Sequence, residues 1–111
     1  MSKRPVDLLL DDIVESIERV EQYIKGISFE EFVKDQKTID AVVRNLEIIG
    51  EAASRLPDDF KGRHSNIEWH KVVGLRHRIV HVYFGIDLQI IWEIVQKDLP
   101  LLLQDLSRIR D

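Results

Sequence analysis

The chain has 111 residues, suits one domain (1–111), and is 44% hydrophobic and 32% charged, enough for a real core under a soluble surface. Cysteine is absent, which excludes disulfides and thiolate metal sites. No apolar run approaches the ~20 residues of a membrane span, and the net charge of −4 argues against a general nucleic-acid coat protein. Asp11 and Asp12 interrupt Leu8-Leu9-Leu10, so no signal-peptide core forms and a cytoplasmic protein without membrane contact is expected.

Helical periodicity dominates throughout. Leu10, Ile13, Ile17, Val20 and Ile24 step by three and four along a first amphipathic helix, with Gly26 as its stop. Ser28, followed three residues later by Glu31, is a capping-box pattern that opens a short helix to about Lys34. A third helix carries Ile39, Val42, Val43, Leu46, Ile49, Ala53 and Leu56. Gly50 inside it marks a close approach, since an interior Gly otherwise costs ~1 kcal/mol against Ala. Pro57-Asp58-Asp59 ends that helix, and residues 58–66 read as the longest loop.

Ser65 or Asn66 can cap a helix over roughly 67–84, closed by Gly85. Asp87 can cap a last helix through Leu88, Ile91, Val95, Leu99, Leu102, Leu106 and Ile109, with a kink or restart at Pro100. The expected architecture is all-α, a bundle of four main helices plus one short one. The last helix is apolar on more than one side (Ile90, Ile91, Trp92, Ile94, Val95), which predicts a homodimer. Trp69 and Trp92 read as core anchors.

Chemistry concentrates in Arg76-His77-Arg78-Ile79-Val80-His81-Val82-Tyr83. Between Lys61 and His81 there are five Lys/Arg against one acid, a local +4 on a remainder of −8, and all four histidines lie in that window. Arg forks onto phosphate oxygens and stays charged, while His exchanges protons near neutral pH. Five helical residues separate Arg76 and His81 by about 140° of rotation, so they are not neighbours on one face. Either the long Arg76 stem wraps round, or the helix distorts near His81, or a two-fold axis brings two Arg and two His around one cleft; the last would complete a phosphodiester-cleaving site. The alternative is Arg76 paired with a carboxylate and His81 hydrogen-bonded on its helix. Tyr83, seven residues from Arg76, returns to the same face within about 20°; it either contacts phosphate or packs at the helix end.

His77 and His81 have i,i+4 metal-ligand spacing, but no nearby carboxylate gives a third ligand, so no metal site is expected. Arg44, Glu47 and Glu51 share the third helix as a poor stabilising ladder. Glu51 either orients a member of the Arg/His cleft or forms a buried or partly buried ion pair.

Several strings resemble the HEPN superfamily, specifically the HepT-like toxins of HEPN–MNT toxin–antitoxin systems. They are Ala41-Val42-Val43-Arg44-Asn45-Leu46-Glu47-Ile48-Ile49-Gly50-Glu51-Ala52-Ala53, Trp69, Gly74-Leu75-Arg76 through His81-Val82-Tyr83, Gly85-Ile86-Asp87 and Asp98-Leu99-Pro100. The likeness runs from about Asp7 to Leu106. It implies a HEPN-type helical homodimer and a metal-independent, cofactor-free endoribonuclease, with Arg76 stabilising phosphate charge and His81 as acid/base. His77 stands where the family more often has Asn or Asp. The resemblance further implies an MntA-like nucleotidyltransferase antitoxin that transfers AMP to Tyr83. The competing expectation is a non-catalytic helical partner that docks a nucleotidyltransferase and helps bind nucleotide.

Overall fold

A computed structural model describes residues 4–77 and 88–110, and all regular structure among them is helical. Helix α1 (Val6–Ile24) starts on Pro5, whose carbonyl accepts from the amides of Leu8 and Leu9 at 3.0 Å each. Its buried stripe is Leu9, Leu10, Ile13, Ser16, Ile17, Val20 and Ile24, the spacing read from the sequence. Gly26 ends the turn at φ +80°, a left-handed conformation that L side chains rarely adopt.

The Ser28 capping box forms as expected: Ser28 Oγ accepts from the Glu31 amide, and Glu31 Oε1 accepts from the Ser28 amide. It opens α2 (Phe29–Lys34). One residue later Asp35 caps α3 (Gln36–Arg55). Asp35 accepts from the Thr38 hydroxyl at 2.6 Å and the Thr38 amide at 3.2 Å, and these bonds hold its carboxyl below the ordinary aspartate value. Helices α1 and α3 pack against each other along their lengths and form the centre of the core.

Residues 58–66 are not the loop expected from their polarity. Pro57 opens a short helix α4 (Asp58–Arg63), with Asp58 and Asp59 in its first turn, where the helix dipole favours acids. Its apolar Phe60 is buried, 4.7 Å from the His64 ring and 6.1 Å from Trp69. The helix expected over 67–84 begins later and breaks early. Helix α5 (Trp69–Val73) starts after Glu68, without a side-chain cap from Ser65 or Asn66, and the chain turns at Gly74 before becoming helical again over residues 75–77. The Trp69 indole donates to the His64 carbonyl at 3.0 Å, tying α5 to the preceding turn.

The last helix restarts near Pro100. Helix α6 (Leu88–Glu93) passes into a π-helical segment (Ile94–Asp98), then α7 (Leu99–Arg110), with Pro100 in the first turn of α7. Proline lacks the amide for an α ladder, and the wider turn accommodates it, with the Leu99 amide reaching back to the Ile94 carbonyl. Helix α7 packs on α1 and α6 on α2. The apolar excess of this last helix is largely consumed within the chain. Ile91, Ile94 and Val95 are buried, and Trp92 lies 5.1 Å from Phe32 and 6.0 Å from Phe29, leaving Ile90 exposed. Little of the surplus apolar surface that predicts a homodimer is therefore left exposed on the described part of this helix.

Candidate active site

The candidate site is a cleft of about 340 Å³ between the start of α1, one face of α3 and the short helical turn at residues 75–77. Leu9, Ile48 and Ala52 give it an apolar floor, and Arg4, Asp12, Arg44, Glu47, Glu51, Arg55 and Arg76 give it charge. Helix α3 supplies most of these because residues 44, 47, 48, 51, 52 and 55 recur on one helical face, beside the face that packs on α1.

Arg76 comes to this cleft because α5 packs on α3 and the chain turns at Gly74. Its Nη1 donates to Glu51 Oε2 at 2.5 Å. The other Glu51 oxygen, Oε1, accepts from Arg55 Nε at 3.0 Å, with Arg55 Nη2 in ion-pair contact at 3.0 Å. Glu51 therefore spans two guanidiniums and fixes the first by being fixed by the second. Of the two readings of Glu51, the structure shows the ion pair, here with Arg76 and solvent-accessible rather than buried, the two side chains being 42% and 44% exposed.

Gly50 is the close approach expected of it. A Cβ there would stand 2.7 Å from Arg76 Cγ and 3.3 Å from the Val73 carbonyl oxygen. Its missing side chain lets the Arg76 stem lie across α3. On the far wall, Arg4 donates Nε and Nη2 to the two oxygens of Asp12 at 2.7 and 2.9 Å, a fork that raises the Arg4 pKa further.

His77 is exposed and its amide donates to the Gly74 carbonyl at 3.0 Å. His81, Tyr83, Gly85 and Asp87 lie outside the described residues, so of the expected site Arg76 and Glu51 are brought together and His77 follows directly in the chain. Among the described residues no three His, Asp or Glu are grouped as metal ligands. Arg4, Asp12 and Arg55 carry no motif of their own. Arg55 had a signal in its i,i+4 spacing from Glu51; Arg4 and Asp12 had none, since their pairing spans eight residues.

A family model described as ribonuclease HepT-like matches residues 13–109. This chain belongs to the ribonuclease HepT-like family. A probable ribonuclease HepT of Thermococcus cleftensis is 43% identical over 101 residues, covering 91% of this chain and 92% of that protein. A protein of Caldanaerobacter subterraneus, provisionally named an RNase, is 43% identical over 90% of this chain and 89% of its own length. Another of Methanocaldococcus jannaschii, also provisionally named an RNase, is 44% identical over 90% of this chain and 92% of its own. No solved structure matches. Membership in the HepT-like family agrees with the HEPN-type, all-helical fold, and the matched span holds every α3 and Arg76 element of the cleft, leaving the Arg4–Asp12 wall and Leu9 outside it.

Proposed function

We propose that this chain, an endoribonuclease of the HepT-like family, is the toxin half of a toxin–antitoxin pair and cleaves RNA as a homodimer without a metal ion. The observation that carries the reading is Arg76: a guanidinium pinned by Glu51 through one nitrogen, in an open cleft, in a chain of this family. Arg has five N–H donors. Glu51 takes one, and the rest of the fork stays available to phosphate oxygens.

In the proposed reaction the ribose 2′-oxygen attacks the adjacent phosphorus and the 5′-oxygen of the next nucleotide leaves. The products are a 2′,3′-cyclic phosphate and a 5′-hydroxyl. His81 of one protomer removes the 2′-hydroxyl proton, and its symmetry mate protonates the leaving oxygen. Arg76 offsets the charge gathering on the pentavalent phosphate. Glu51 acts as a positioning residue for Arg76, and His77 supports the same motif.

Control is exerted by an MntA-like nucleotidyltransferase acting on Tyr83. The phenolic oxygen attacks the α-phosphorus of ATP, pyrophosphate departs, and an AMP diester is left near Arg76. Its charge and bulk exclude RNA. One observation favours a second reading, a non-catalytic partner that docks a nucleotidyltransferase and helps bind nucleotide: Arg76 already has an internal counter-ion, on a chain with net charge −4.

The deciding experiment incubates protein of bare Tyr83, verified by intact mass, with labelled RNA in EDTA beside His81→Ala. Cleavage by the parent alone, leaving 2′,3′-cyclic ends, is expected. An inert parent would replace the nuclease reading with the second one.

A further inference from the structure

Four guanidiniums line the cleft, and three of them are already engaged. Arg4 forks onto Asp12, while Arg55 and Arg76 share Glu51. Arg44 lines the same cleft and is exposed, yet among the described residues no carboxylate lies within ion-pair distance of it. Its nearest acid in sequence, Glu47, is three residues on in the unfavourable order for a helical pair. A cation left without an internal partner beside paired ones is placed to take an external anion.

Position sharpens the identity of that anion. Arg44 and Glu51 are seven residues apart on α3, which is two turns, about 10 Å of rise and the same face within about 20°. Arg44 therefore lies two turns along one helix face from the carboxylate that pins Arg76. We infer that Arg44 is a second phosphate anchor, and that the RNA backbone runs along α3 from Arg76 to Arg44. The inference rests on Arg76 being the contact to the scissile phosphate. Arg suits the task because its planar fork takes two phosphate oxygens at once and it never loses its charge. Arg44 is a binding residue in this assignment and takes no part in proton transfer. Glu47 sits between the two anchors in sequence and weakens anion binding by its charge.

The test separates binding from cutting. A fluorescein-labelled, fully 2′-O-methylated oligonucleotide has no free 2′-hydroxyl and cannot be cleaved; its binding is followed by anisotropy across a salt series. Arg44→Ala is expected to weaken binding about five- to tenfold at low salt, and to reduce the slope of log affinity against log salt by about 0.7, the value for one lost single-strand phosphate contact. Arg44→Lys should restore the slope and part of the affinity, and Glu47→Gln should tighten binding. On cleavable RNA, Arg44→Ala should raise KM with kcat within about twofold of the parent. Circular dichroism checks that each variant keeps its helices. Equal affinity and slope for parent and Arg44→Ala would overturn the assignment, and so would a parent that fails to bind the oligonucleotide. A parent that binds but does not cut would overturn the nuclease reading alone and leave Arg44 as a phosphate anchor.

Discussion

At Gly50, two requirements meet in one missing methyl. Alanine would gain ~1 kcal/mol of helix propensity over glycine, but its Cβ would fall 2.7 Å from Arg76 Cγ. That atom lies near the root of the side chain, so it cannot move aside without turning the whole guanidinium or shifting the helical turn at residues 75–77. Overpacking of this kind costs about 1–3 kcal/mol. Gly50→Ala is therefore expected to be destabilised by about 1 kcal/mol net, and to lose at least tenfold in kcat because Arg76 leaves Glu51. Thermal melts and initial rates read the two effects separately; unchanged kcat would show that Arg76 does not need this seat. Gly50 and Glu51 could be singled out from sequence because an interior glycine and an acid one turn from a like charge, Glu47, both disfavour a helix. The identity of the Glu51 partner could not, because Arg76 is twenty-five residues away and its approach depends on the break at Gly74.

At the scale of elements, local signals worked where capping chemistry and apolar stripes agreed. The Ser28–Glu31 box and the Gly26 stop appear as expected, and the stripes of α1 and α3 face each other. Helix α4 was hidden because five of its six residues are charged or glycine, so its single buried side chain, Phe60, makes no periodic pattern. Its existence depends on Pro57, two dipole-facing acids and tertiary contact with Trp69. The start of α5 was misplaced for a related reason: Ser65 and Asn66 are good cap residues, but the chain is held elsewhere by the Trp69 indole on the His64 carbonyl.

The junction of α2 and α3 carries a pH signature. Asp35 is held below its ordinary value by the Thr38 hydroxyl and amide. A depressed carboxyl contributes stability above the unfolded-state value, and that contribution fades as pH falls through the folded-state one. Asparagine caps comparably but does not titrate here. Asp35→Asn should therefore melt close to the parent at neutral pH and lose less Tm than the parent as pH falls below about 4. Parallel Tm-against-pH curves would show that the cap does not depend on the Asp35 charge.

Across the whole molecule, charge and apolar surface are unevenly spread. An acidic chain gathers four arginines around one cleft, while its last helix turns most of its apolar residues inward. Ile90 and Leu101 remain exposed at 41% and 60%, too little by themselves for the roughly 800 Å² per partner that a stable interface covers. With so little exposed apolar surface on the described part of the last helix, the homodimer we propose is expected to dissociate on dilution. Light scattering at micromolar concentration should give twice the 13.0 kDa chain mass, falling toward one chain on dilution. A single-chain mass at every concentration would place the whole proposed reaction within one protomer.

The π-helical segment divides what looks like one long rod into two mechanical pieces. Between Ile94 and Asp98 the ladder changes register. On one side α6 leans on α2 through Trp92; on the other α7 lies along α1. Stretches of backbone whose ladders differ in register and that dock on different neighbours can open as separate cooperative units. The α2–α6 corner can thus fray and reclose while α1, α3 and α7 stay shut. Opening of the backbone at Leu88 then draws on the stability of a corner rather than of the entire fold.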